Sequence, residues 1–103
     1  MRTRLLTLLC LTSFAASAAT FTGWISDATC GAANASSKSE ARSCAESCIK
    51  GGAAPVFVTD TDQKVYKLAD TSKVKDHIKG KVKITGSLKG DTLTIAQIED
   101  VKE

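Results

Sequence analysis

The chain has 103 residues, 43% of them apolar and 24% charged, with a formal net charge of +3. That length bounds it to one small domain with a limited core. Its charges alternate in sign without a long block of either, which argues against a nucleic-acid or anionic-membrane partner.

Met1 to Ala19 has the form of a signal peptide. Arg2 and Arg4 make a charged start, Leu5 to Phe14 is a short apolar run, and Ala16-Ser17-Ala18 or Ser17-Ala18-Ala19 supplies small residues for cleavage. The apolar run is shorter than the roughly 20 residues a membrane-spanning helix needs. Cys10 lies inside that run, and Thr7-Leu8-Leu9 before it lacks the small residue a lipid-attachment signal places there. Cys10 is therefore expected to leave with the leader. Residues 20–103 form the single domain, free of the membrane after cleavage. Without Arg2 and Arg4 the net charge falls to +1. The leader looks bacterial, so the expected location is periplasmic or extracellular, an oxidising setting in which disulfides persist.

The domain opens with a strand over Thr20 to Ser26, where Phe21, Gly23 and Ile25 alternate with Thr22, Trp24 and Ser26. Trp24 is expected to pack under the helix that follows. Asp27 to Gly31 is a turn and Ala32 to Ser36 a small, polar loop. Asn34-Ala35-Ser36 matches a glycosylation sequon, a short pattern with many false matches. Ser37-Lys38-Ser39-Glu40 has the form of a capping box. It leads into a short helix whose apolar face would carry Ala41, Cys44, Ala45, Cys48 and Ile49, and Gly51-Gly52 stops it. Pro55 opens a second strand over Val56 to Thr59, Asp60 to Gln63 turns the chain, and Lys64 to Leu68 completes a hairpin. Asp70 to Lys79 reads as a second short helix, with Val74 and Ile78 four apart. Lys81 to Leu88 is a strand in which Gly86 predicts a bulge or bend. After the Lys89-Gly90-Asp91 turn, Thr92 to Asp100 is the last strand, and Ile98 breaks its alternation, so a bulge is expected near Ala96 or Gln97.

The expected fold is thus mainly β with two short helices. It is an OB-like five-stranded small barrel, with a cysteine-bearing helical insertion between strands 1 and 2.

That insertion holds Cys30, Cys44 and Cys48. An odd count leaves one thiol over, which remains free, bridges two chains into a dimer, or joins a metal site. Residues four apart on a helix have Cβ atoms about 5–6 Å apart, whereas a relaxed disulfide wants about 3.5–4.5 Å. A bridge between Cys44 and Cys48 would be strained, so the expected disulfide joins Cys30 to Cys44 or to Cys48. The same three thiolates suit a soft metal, copper or zinc, with His77, the single histidine, as a candidate fourth ligand. Thiol redox chemistry ranks third, because its usual spacing is Cys-x-x-Cys and Cys44 lies well inside its helix. Lys81, Lys83 and Lys89 make a basic stripe that reads as a solvated strand face. Too few aromatics accompany it for base stacking, and no nucleophile elbow, phosphate loop or paired acids appear.

Several stretches together resemble a family of small exported bacterial proteins, many from soil bacteria. They are Gly23-Trp-Ile-Ser-Asp-Ala-Thr-Cys-Gly-Ala32, Cys44-x-x-x-Cys48-Ile-Lys-Gly-Gly-Ala53, Pro55-Val-Phe-Val58, Lys64-Val-Tyr-Lys-Leu-Ala69 and Lys81-Val-Lys-Ile-Thr-Gly86. The resemblance covers nearly all of the domain. It implies export and an OB-like fold, and no activity, because the family is a domain of unknown function. The family pattern places a histidine four residues after the first cysteine. Asn34 stands there, so a three-cysteine, one-histidine site would lack its fourth ligand in this chain. The sequence therefore points to a non-enzymatic module, with no cofactor unless copper or zinc occupies the cysteines, that binds a small ligand or another envelope protein.

Overall fold

The computed structural model describes residues 18–102. Residues 1–17, most of the expected leader and with them Cys10, lie outside the described residues. Five strands, β1 (Ala19–Asp27), β2 (Pro55–Thr59), β3 (Val65–Leu68), β4 (Val82–Lys89) and β5 (Thr92–Asp100), close into a barrel in the order β1-β2-β3-β5-β4. This is the OB arrangement, with all pairings antiparallel except the short β3–β5 contact. One α-helix, α1 (Ser39–Lys50), and a 3₁₀ turn over Gly31–Asn34 form the insertion between β1 and β2. Among the described residues no helix is long and apolar enough to cross a membrane.

Closure depends on two glycines. β1 pairs with β4 through Ala19–Gly23 and with β2 through Gly23–Asp27, so Gly23 is the corner shared by both ladders. A Cβ there would lie 1.9 Å from the Val58 carbonyl oxygen. At Gly86 a Cβ would lie 2.1 Å from the Thr94 oxygen. The β4–β5 register slips at this point: Thr85 faces Gln97 and Gly86 faces Ile95, leaving Ala96 as the extra residue. The bulges expected at Gly86 and near Ala96 are one feature seen from two strands.

The inward residues of every strand meet in one cluster. Ile25, Phe57, Val82, Ile84 and Leu93 are wholly buried, joined by Ala45 of α1 and by Val74 and Ile78 from the β3–β4 connection. Full burial of each large side chain stabilises the fold by about 1.5–3 kcal/mol. Phe21 packs edge-on against Phe57, with ring centroids 6.5 Å apart. A second, smaller cluster lies on the outside of the β1–β2 ladder, where Ala35 covers Val56 and Val58 beside Trp24.

Three local expectations are corrected. The second helix shrinks to a 3₁₀ turn over Lys75–His77. Asp70 Oδ1 accepts from both the N–H (3.0 Å) and the hydroxyl (2.8 Å) of Ser72, an Asx turn that competes with helix formation. Val74 and Ile78 still reach the core. The capping box does not form: α1 starts after Lys38, and no side chain caps it. Ser37 Oγ instead accepts from Trp24 Nε1 at 3.2 Å. Trp24 is accordingly covered by the segment entering α1, not by the helix itself.

Candidate functional site: the cysteine insertion

β1 ends at Asp27, and its side chain organises the loop that follows. Oδ2 accepts the Cys30 backbone N–H at 3.0 Å and Oδ1 accepts Asn34 Nδ2 at 2.9 Å. The Asp27 side chain is fully buried, and burial alone would raise its pKa. The Asn34 amide and the backbone N–H groups around Thr29 and Cys30 outweigh that cost and hold it below the ordinary value. Ser26 Oγ donates to the Gly31 carbonyl at 2.7 Å, fixing the turn where Gly31 adopts φ +52°. Asn34 is buried and committed to Asp27, so the sequon is not presented to solvent.

Arg42 locks the helix onto this loop. It lies outside the apolar face the helical spacing predicts, yet it is only 7% exposed. Nε donates to Ser36 O at 2.8 Å. Nη1 donates to Ile25 O at 2.8 Å and Ile78 O at 2.6 Å, and Nη2 donates to Asn34 O. One guanidinium thereby ties β1, the loop, α1 and the β3–β4 connection together. Burial lowers its pKa and the Asp27 carboxylate opposes the shift, while an arginine keeps its charge in either case.

The buried stripe of α1 is Ala41, Arg42 and Ala45, with Ile49 packed beside them. The expected face is rotated: Cys44 is exposed and Cys48 half-buried. Both stand along the edge of the helix that meets the Cys30 loop. Cys30, itself exposed, lies near enough to the Asp27 carboxylate and to Cys44 to feel the charge of each. Cys48 stands one helical turn after Cys44 on α1. Desolvation, followed by the Asp27 charge, pushes the Cys30 and Cys48 thiols above their ordinary values. The three cysteines of the sequence analysis thus share one neighbourhood, and all three are thiols in this structure.

His77 is not brought to them. Its Nδ1 lies 2.8 Å from Asp100 Oδ1, at the end of β5. Among the described residues no group of three or more His, Cys, Asp or Glu side chains is arranged to hold a metal ion. Two lysines of the basic stripe face acids. Lys81 Nζ is 2.7 Å from Asp60 and lies over the Trp24 ring, and Lys83 is 3.7 Å from Glu99.

An open groove of about 660 Å³ runs beside the cluster. Ala33, Ala35 and Ala41 form short walls, Lys38 and Gln63 stand along it, and of the three cysteines only Cys44 lines it. Sequence reasoning placed the cysteines together but missed Asp27, Asn34 and Arg42, the side chains that hold them there. No family model, curated protein or solved structure matches the chain.

Proposed function

We propose that the chain is an exported, non-enzymatic OB-like binding module whose insertion between β1 and β2 is clasped by a disulfide from Cys30 to Cys44. The observation that carries this reading is the nearness of Cys30, in the loop, to Cys44, on the helix, close enough for Cys44 to raise the Cys30 thiol, beside an open groove that Cys44 lines. In the oxidising compartment implied by the leader pattern such a pair persists as a disulfide. It closes a loop of about 15 residues, worth about 3 kcal/mol in the chain-entropy model. The barrel then serves as the scaffold, and the groove beside the clasp receives a small ligand or a segment of another envelope protein.

Mass spectrometry of the chain exported through its own leader and purified without reductant tests this. The expected mass is that of a chain cleaved before Ala19 or Thr20, two hydrogens below the reduced form, with Cys30 and Cys44 in one cross-linked peptide. A defined turnover by the same preparation on any substrate class would overturn the non-enzymatic reading. Soft-metal binding is the second reading, favoured by the spacing of Cys44 and Cys48 one turn apart on α1. It requires the sulfurs to move toward a common point. A copper or zinc adduct lost when all three cysteines become serine would put it first.

A further inference from the structure

We infer that barrel closure guards the leader cleavage site of this chain: the peptidase and the first ladder of the fold compete for the same residues, and the cut comes before the barrel closes. The guard rests on the export reading proposed above and fixes the order of two events which that reading leaves open. The small-residue pattern places the bond to be cut at Ala18–Ala19 or Ala19–Thr20. β1 begins at Ala19, so no spacer separates the pattern from the strand. Ala19 pairs with Gly86 and Thr20 with Thr85 in the antiparallel β1–β4 ladder. The residues that follow either bond are thus already strand.

Burial does not protect these bonds, since Ala18, Ala19 and Thr20 are all exposed. The ladder does. A peptidase binds its substrate as an isolated extended segment, using main-chain hydrogen bonds as an added strand does. A segment already bonded to β4 and attached to a barrel does not enter such a cleft. Local fraying is short as well. Phe21 packs against Phe57 and Tyr66, with ring centroids 6.5 and 6.1 Å away. Thr22 Oγ1 donates to Asp60 Oδ2 at 2.9 Å, and the Asp60 N–H donates to Thr22 O at 3.0 Å. Peeling that stops at Thr20 frees two residues past the first bond and one past the second. Cutting of the folded chain therefore waits on wider opening of β1, and its rate follows the population of the open form. The reaction itself is hydrolysis: one water adds across the peptide bond, leaving a carboxylate on the leader and an amino group on the domain.

A purified bacterial leader peptidase is the probe, acting on the full 103-residue chain folded in detergent micelles. Two variants accompany the parent. One carries Gly-Ser-Gly-Ser-Gly-Ser inserted between Ala19 and Thr20, a spacer reaching up to about 20 Å, and should keep the parent's urea midpoint. The other combines Gly23→Ala with Gly86→Ala, whose added methyl groups meet backbone and keep the barrel from closing. Both should be cut about tenfold or more faster than the folded parent, the order expected for two or three ladder hydrogen bonds. A parent cut as fast as the spacer variant overturns the guard and leaves the export reading standing. So does a spacer variant cut as slowly as the parent while the glycine variant is cut fast. No cut in any of the three overturns the export reading and the guard together.

Discussion

Arg42 Nη1 donates to the main-chain oxygen of Ile25 at 2.8 Å, tying the only α-helix among the described residues to the strand before it. Three further carbonyls, of Asn34, Ser36 and Ile78, depend on the same guanidinium. Arg42→Met leaves all four without this donor. Each buried carbonyl left unpaired costs about 1–3 kcal/mol. The expected loss is therefore on the order of 3–5 kcal/mol, much of the stability of a domain this size. Arg42→Lys should recover only a small part, since an ammonium lacks the planar fork. Urea unfolding of both variants measures this.

Much of this fold was legible in the sequence because strands carry a period-two signal and the turns carry Gly, Pro and Asp. The last strand was read from Thr92 to Asp100 and forms over those residues, its bulge betrayed by Ile98 out of phase. Arg42 was not legible. A charged residue on a helix reads as solvent-facing, and only the tertiary placement of four carbonyls makes its burial favourable. Asn34 was hidden for a similar reason: its value lies in a carboxylate seven positions earlier, and no local period marks the pair. The second helix failed because Asp70 offers Ser72 a local alternative that helical spacing at Val74 and Ile78 does not outweigh.

The two corner glycines yield a prediction with an internal control. Gly23→Ala and Gly86→Ala each drive a methyl group into backbone, against the oxygens of Val58 and Thr94. Neither obstacle is the end of a side chain that can swing away, so the ladders must separate. Each is expected to cost more than about 3 kcal/mol, the range of severe overpacking. Gly80→Ala meets nothing within 4 Å and should stay within about 0.5 kcal/mol of the parent. Thermal unfolding of the three variants ranks them.

Asn34→Ala removes a side-chain donor to the buried Asp27 carboxylate. The cost expected for under-donating a buried acceptor is about 1–3 kcal/mol. Loosening of the loop should also move Cys30 away from the Asp27 charge that raises its thiol pKa, so its alkylation by iodoacetamide in reductant should quicken relative to Cys48. A variant as stable as the parent, with unchanged alkylation, would show that Asn34 does not position the cluster.

The cysteine variants separate by which partner can be replaced. Without Cys44, Cys48 stands ready beside it on the helix edge; without Cys48, the proposed clasp is untouched; without Cys30, the helix pair is left with its unfavourable spacing. Non-reducing urea unfolding should therefore place Cys30→Ser as the least stable, Cys44→Ser between, and Cys48→Ser nearest the parent. With reductant present the differences due to the clasp should collapse. Were Cys30→Ser the mildest of the three, the clasp would have to lie elsewhere or not exist.

Acid should weaken the fold through two carboxylates. Asp60 is held below its ordinary value chiefly by Lys81, with Thr22 donating as well and burial opposing. Asp27 is held low against its own burial by Asn34 and nearby backbone N–H groups. For both groups the folded pKa lies below the unfolded one, so the unfolded chain takes up protons first as pH falls. Their stabilisation is complete above the unfolded carboxylate value, about pH 4, and is lost as pH falls through the lower folded values. Thermal midpoints should thus hold nearly level from about pH 7 to 5 and drop steeply below about pH 4. Asp60→Asn keeps the shape of the side chain but removes its titration, along with the ion pair to Lys81. It should start from a lower midpoint at neutral pH and lose less on acidification. An Asp60→Asn curve parallel to the parent's over the whole range would mean that the Lys81 pairing contributes nothing to the acid limb.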